Sequence, residues 1–143
     1  MKRQEISLKR AVDFHGHLGP YLVLGLTMGS YALKKLKARA HFGLEVKVWG
    51  VKFKPRSCLV DGLQLSTGCT YGKGNIRKYN GRFIKASFLN CDTDKSIELT
   101  LRDKIIEKLS LACDDEASEK FARELFKMRA EDIFIVQGNR LRR

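Results

Sequence analysis

Three short stretches of this chain concentrate side chains that bind metals or exchange protons. The first, Phe14-His15-Gly16-His17-Leu18-Gly19-Pro20, sets two imidazoles one residue apart across a glycine. Such a pair can converge on one metal ion, or leave one ring bound and the other hydrogen-bonded behind it. Taken alone it reads equally as hydrogen bonding at a helix end. The second stretch, Arg56-Ser57-Cys58-Leu59-Val60-Asp61-Gly62-Leu63-Gln64, puts Cys58 and Asp61 one helical turn apart, with Leu65 on the same face. A cysteine at a helix start is biased toward the thiolate, the form that ligates metals or attacks electrophiles; the plainer fate of a free cysteine is a small buried apolar group. Asp61 is the only acidic residue between Val46 and Asn90, so it is either an ion-pair partner or a functional carboxylate. The third stretch is Thr67-Gly68-Cys69-Thr70-Tyr71-Gly72-Lys73-Gly74-Asn75. Its glycines and lysine invite a phosphate-loop reading, but that motif has four residues between its glycine and Gly-Lys, then Ser or Thr. Here three residues separate Gly68 from Gly72, and Gly74 follows Lys73, which argues against a nucleotide triphosphatase. What remains is a loop presenting the Cys69 thiol, backbone amides and the Lys73 cation, suited to the edge of a metal site or to an anion.

These residues need elements to position them. Residues 4–13 carry Ile6, Leu8, Ala11 and Val12 among charges, the pattern of a short amphipathic helix ending near Phe14. Gly19-Pro20 opens a second helix with proline in its first turn, and the run from Tyr21 to Leu36 is too continuously apolar for a surface helix. That helix is expected to be central and buried. Gly25 and Gly29 share one of its faces, where another backbone can approach, and Lys34, Lys35, Lys37 and Arg39 suit its negative end. Glu45 to Phe53 reads as a strand, with its alternation changing phase at Trp49-Gly50. Ser57 is placed to cap a helix through Leu65. Ile76–Tyr79 and Phe83–Leu89 flank Asn80-Gly81, the dipeptide of tight hairpin turns, which predicts an antiparallel pair. Ile97, Leu99 and Leu101 alternate as a half-buried strand. Helices capped at Asp103 and begun at Asp114-Asp115-Glu116 follow, then a strand at Ile133–Val136 and a basic end. The order predicts an α+β fold: a mainly antiparallel sheet packed with a buried central helix and flanking helices.

The chain has 143 residues, one ordinary domain's length, and residues 1–143 are read as a single domain. With 43% hydrophobic and 31% charged residues and two prolines, it is globular in composition. The net charge of +12 is uneven: residues 1–90 hold 17 basic and 4 acidic side chains, residues 91–143 hold 11 and 12. A field of that sign attracts nucleic acid, acidic membrane surfaces, acidic proteins or small anions. The four cysteines, Cys58, Cys69, Cys91 and Cys113, include no Cys-x-x-Cys pair and match neither a zinc ribbon nor a thioredoxin motif. The uncharged stretch from Leu18 to Leu33 is broken by Pro20, Gly25 and Gly29 and is shorter than the ~20 residues that span a bilayer. A cytoplasmic protein with free thiols and no membrane partner is the expectation.

Together, in this order and at these separations, the three stretches resemble the FmdE family, proteins like the FmdE component of formylmethanofuran dehydrogenase. The resemblance covers roughly residues 10–90 by motif. It implies an α+β core, often dimeric, and a metal site, usually assigned zinc, built from histidine and cysteine side chains. Carried over to this chain, it implies His15, His17, Cys58 and Cys69 as ligands, with water or Asp61 as alternatives for the third and fourth positions. Many family members add a C-terminal cysteine-rich zinc finger; this sequence ends at Asn139-Arg140-Leu141-Arg142-Arg143 without a cysteine pair. Cys91 and Cys113 lie outside the motifs and read as core or surface thiols. The family name records association with genes for molybdenum- or tungsten-dependent formylmethanofuran oxidation and carries no proven reaction of its own.

Two classes of function follow. One is a metal-binding protein, zinc or another transition metal, serving one-carbon metabolism of the methanogenesis type in an archaeon or anaerobe. Homodimers and formylmethanofuran dehydrogenase subunits are its implied partners. Were it an enzyme, Asp61 would serve as general base or ligand orienter, and Lys73 would receive an anionic small molecule. The other class is a basic module for nucleic acid, or a structural subunit docking on an acidic enzyme. Nucleic acid is disfavoured because the basic residues are dispersed, aromatic side chains are not interleaved with them in an RNA-recognition pattern, no helix-turn-helix or finger signature is visible, and a high lysine count also marks thermophile surfaces.

Overall fold

The computed structural model describes residues 7–141. Residues before Ser7, where the first predicted helix begins, and the last two residues of the basic end lie outside them. Six helices and five strands follow in the order α1 (Leu8–His15), α2 (Pro20–Leu36), β1 (Leu44–Trp49), α3 (Cys58–Thr67), β2 (Ile76–Tyr79), β3 (Lys85–Asn90), β4 (Lys95–Leu101), α4 (Asp103–Leu111), α5 (Asp115–Lys127), α6 (Ala130–Ile133) and β5 (Phe134–Leu141). The strands form one sheet in the order β2-β1-β3-β4-β5. Only the β1–β2 pair is parallel. This is the α+β architecture predicted from the pattern of elements.

The central helix is α2, and eleven of its seventeen residues are buried. Its lack of charge before Lys34 follows from that burial, since an unpaired charge in a core is strongly unfavourable. On the sheet, Ala86 and Phe88 of β3 and Ile97, Leu99 and Leu101 of β4 point into the same core, the two-residue period of strands with one covered face. The buried Asn90 ties the layers together: its Nδ2 donates to the Leu36 carbonyl of α2 at 2.9 Å, and its Oδ1 accepts from the Asp92 amide at 2.9 Å.

The predicted hairpin across Asn80-Gly81 does not form. Strand β1 lies between β2 and β3, pairing Val46 with Ile76 in parallel on one side and with Phe88 in antiparallel on the other. The physical reason is burial. In β2 only Ile76 is buried while Arg77, Lys78 and Tyr79 are exposed, which suits an edge. Val46 and Val48 of β1 are fully covered, which suits an interior strand. Residues 80–84 cross the end of β1 instead of turning back; a Cβ on Gly81 would lie 3.0 Å from the Trp49 Cβ. Strand β1 also stops at Trp49 and not at Phe53, because Gly50 turns the chain with φ of 82° and a Cβ there would lie against the Phe83 backbone. Likewise a short helix, α6, precedes the last strand, which begins at Phe134.

Helices α2 and α3 make the tightest crossing in the fold. A Cβ added to Gly25 would strike the Leu59 carbonyl and lie 2.9 Å from the Gly62 Cα; one added to Gly62 would strike the Leu22 carbonyl and lie 2.8 Å from the Gly25 Cα. The partner that Gly25 and Gly29 admit is thus α3 of the same chain. Ser66 Oγ bridges the crossing, donating within 3.1 Å of the Gly25 carbonyl and 2.8 Å of the Gly62 carbonyl.

Alanine is the better helix former by roughly 0.5–1 kcal/mol, so on propensity alone Gly25→Ala and Gly62→Ala would stabilise. The contacts are backbone to backbone and cannot rotate away, so each substitution is expected instead to lower stability by about 1–3 kcal/mol, the cost of overpacking. Urea unfolding checks this; an unchanged or raised midpoint would contradict the crossing.

Candidate functional site

Helix α1 ends at His15 because Gly16 follows in the left-handed conformation, φ of 107°, and returns its amide to the Val12 carbonyl at 2.7 Å. The chain then runs extended through Gly19 into α2, with Pro20 at its start. His15 therefore closes one helix, and His17 lies in the link to the next. The two rings sit 4.9 Å apart between centroids, tilted by 36°. Across from them α3 begins at Cys58, with Asp61 in its first turn. Ser57 stands at the predicted cap position, but its side chain makes no capping hydrogen bond.

The central contact joins the two stretches: His15 Nδ1 lies 2.6 Å from Asp61 Oδ2. An ionised carboxylate only accepts, so Nδ1 must carry the proton in this bond, and in the neutral ring Nε2 is left with its lone pair. The His15 side chain is only 9% exposed. Its Nε2 is buried and has no hydrogen-bond partner. Leaving such an acceptor unsatisfied costs about 1–3 kcal/mol. A carboxylate in this position fixes which ring nitrogen of His15 carries the proton.

His15, His17 and Cys58 line a cleft of about 610 Å³. Tyr21 of α2 and Pro55 continue that wall, while Leu109 of α4 and Asp115, Ser118 and Glu119 of α5 form the other. That opposite wall comes from residues about a hundred positions after His15, and nothing in its sequence announced it. An acidic pair four residues apart reads as an ordinary solvated helix face; only the shared-face spacing of Asp115 and Glu119 was available as a signal.

The structure separates the other candidates from this cleft. Cys69 is fully buried in the main core, donating its thiol to the Leu44 carbonyl at 3.2 Å, and burial raises its pKa. Helix α3 stands between Cys58 and Cys69, a rise of about 15 Å over ten residues. Gly68, with φ of 76°, then closes the helix by returning its amide to the Gln64 carbonyl. Lys73 donates its ammonium to the Gly68 carbonyl and sits 5.0 Å over the exposed Phe42 ring. It lies on the Cys69 side of the molecule. Cys91 and Cys113 are exposed free thiols. The Cys58 thiol departs from its expected bias: burial first, then the Asp61 charge, raise its pKa, with Lys54 opposing them weakly. The helix-start position does not outweigh these two effects.

The donor types on this wall, imidazole nitrogen and cysteine sulfur, are those that zinc favours, and His15 Nε2 is one donor already aimed and without a partner. Among the described residues, no three His, Cys, Asp or Glu side chains are gathered into a ready-made metal cluster. No helix among them is long and apolar enough to cross a membrane.

Comparison with known proteins places the chain in a family and a fold. A family model described as "FmdE, Molybdenum formylmethanofuran dehydrogenase operon" matches residues 14–136. The crystal structure of a tungsten formylmethanofuran dehydrogenase FmdE-like protein from Syntrophus aciditrophicus superposes with a TM-score of 0.68 at 23% identity, covering 94% of this chain and 71% of that one; this likeness is one of fold. A protein of Archaeoglobus fulgidus, named a probable S-adenosyl-L-methionine-binding protein, is 37% identical over 73 residues, 48% of this chain and 19% of that protein. The chain therefore spans about a fifth of that relative's length.

In metal-free protein, the raised pKa of Cys58 means its alkylation by iodoacetamide reaches half its maximal rate at a higher pH than a free cysteine does. Because the Asp61 charge contributes to the rise, Asp61→Asn is expected to move that midpoint to lower pH. Peptide mapping of the Cys58 adduct across a pH series measures both; a midpoint that rises in the variant would contradict the assignment.

Proposed function

The chain belongs to the FmdE family, and on that premise we propose that it is a metal-binding protein whose ion, zinc in the first place, is held by His15 Nε2 together with His17 and Cys58. One observation carries the reading: His15, a residue of the cleft wall, has its Nδ1 engaged by Asp61 and its Nε2 buried and unpartnered. A buried imidazole with one nitrogen locked by a carboxylate is what a ligand histidine needs before any ion arrives. His17 and Cys58 supply the further nitrogen and sulfur within the same wall. Asp61 belongs behind His15, in contact with its far nitrogen, so its role is positioning.

When bound, zinc at such a site supplies a Lewis acid or lowers the pKa of a coordinated water. The chain's own residues would do the rest. The cleft has room for a small substrate, with Tyr21 and Leu109 as apolar walls and Asp115 and Glu119 facing the ligand side. Those two carboxylates favour a ligand with a cationic or hydrogen-bond-donating end, in contrast to the anionic ligand expected from the net charge. The family description supports a place beside formylmethanofuran dehydrogenase in one-carbon metabolism.

Purified without added metal and analysed by elemental mass spectrometry, the protein is expected to carry about one zinc per chain. His15→Ala and Cys58→Ser should abolish it, whereas Asp61→Asn should weaken zinc affinity roughly 10- to 100-fold, the usual cost of losing a ligand's orienting partner. Cys69→Ala should retain the metal. Metal-free wild type that also fails to take up zinc on titration would overturn the reading.

A further inference from the structure

The fold gathers side chains that are dispersed along the chain at the far end of β1. Trp49 stacks on Tyr79, with 5.4 Å between ring centroids and 25° between planes, and Lys85 Nζ sits 4.8 Å over the Trp49 ring. Past Gly50, Phe53 is 71% exposed, and across the end of the strand Phe83 is 58% exposed. Each carries its own cation, Lys52 at 5.2 Å and Arg82 at 5.5 Å from the ring centroid. Arg56 fastens the two loops to each other by donating from one Nη1 to the Gly50 and Arg82 carbonyls, both at 3.2 Å. Between the loops lies a cavity of about 400 Å³ lined by Lys52, Phe53, Lys54, Arg56 and Asn80, with no carboxylate on its walls. The one acidic residue of the surrounding segment, Asp61, is taken by His15.

Two large aromatic side chains this exposed are not accounted for by the core, and surfaces that leave such groups out commonly meet a partner. Its chemistry follows from the pairing of features. Lysine is depleted in protein–protein interfaces, yet here lysines flank every aromatic except Phe83. Duplexes present phosphates but keep their bases stacked inside, leaving exposed rings with nothing to stack on. Cations beside open aromatic faces are the combination that holds unpaired bases and their phosphates.

We propose that this end of the sheet binds single-stranded nucleic acid, its bases stacking on Phe53 and Phe83 and its phosphates drawn by Lys52, Lys54 and Arg82. Cations adjoin both phenylalanines in sequence, in Lys52-Phe53-Lys54 and Arg82-Phe83, and the fold brings the two stretches to one end of the sheet beside Trp49 and Tyr79. Of the residues lining the His15 cleft, only Pro55 also lines this cavity, so the proposal stands apart from the metal reading.

The whole chain, titrated into a fluorescein-labelled oligothymidylate of about 12 nucleotides, tests it by anisotropy. Trp49, the only tryptophan, serves as a second reporter by quenching. Binding is expected to weaken with salt, and the Phe53→Ala, Phe83→Ala double variant to lose roughly 5- to 150-fold in affinity for each stacked base removed, with its salt slope unchanged. Lys52→Ala with Arg82→Ala should instead flatten the logarithmic salt slope, by about 0.7 for each phosphate no longer neutralised. The substituted side chains are exposed, so the unfolding midpoints of the variants should match wild type. Absence of binding at low salt, full binding by the double phenylalanine variant, or preference for a duplex of the same length would overturn the proposal. Equal competition by polyphosphate or polyglutamate would reduce the surface to a general polyanion or acidic-protein site, and thymidine monophosphate binding as tightly as the oligomer would reassign it to free nucleotides.

Discussion

Two helices crossing backbone against backbone at Gly25 and Gly62 set the geometry on which the rest depends. At the α2–α3 contact Gly25 and Gly62 present bare Cα atoms to each other, and any Cβ on either would strike the other helix's backbone. A crossing cushioned by side chains can slide by changes of rotamer, but one made of backbone has little freedom to do so. Helix α3 is therefore held at a fixed depth and rotation against the buried α2. Its first turn, with Cys58 and Asp61, is delivered to the link between α1 and α2, where His15 and His17 lie.

From that placement the polar chemistry follows in order. Asp61 reaches His15 Nδ1, the proton on that nitrogen is committed, and Nε2 is turned inward without a partner. Most buried polar atoms in folded proteins are satisfied, and among the described residues His15 Nε2 is the one buried side-chain nitrogen or oxygen without a hydrogen-bond partner. The same reasoning separates Cys58 from Cys69. The Cys69 sulfur already has the Leu44 carbonyl and apolar neighbours, whereas Cys58 is partly open and borders the cleft.

Much of this was legible in the residues. The uncharged run of α2 and its opening proline located the buried helix, and the motif stretches named His15, His17, Cys58 and Asp61, which the fold does bring together. Three things were not legible. Asn80-Gly81 specifies a bend but not the strand that will be paired, and the burial of β1 on both edges decided that instead. Cys69 shares a motif with the cleft in sequence, but the length of α3 carries it to the core. The acidic wall of α5 and the aromatic end of the sheet are products of long-range packing, made of residues that look like ordinary surface until the chain is folded. Net charge does not show how the charge is distributed: Asp115 and Glu119 line the cleft, while cations and open aromatic rings collect at the end of β1.

The claim that most needs testing is that His15 Nε2 is a ligand atom. Anomalous diffraction at the zinc edge from crystals grown with the metal addresses it directly. The account predicts a peak about 2.0–2.1 Å from His15 Nε2, the zinc–nitrogen bond length, with Asp61 still on Nδ1. A zinc peak confined to the exposed Cys91 or Cys113, with His15 Nε2 bonded to a protein group instead, would contradict it.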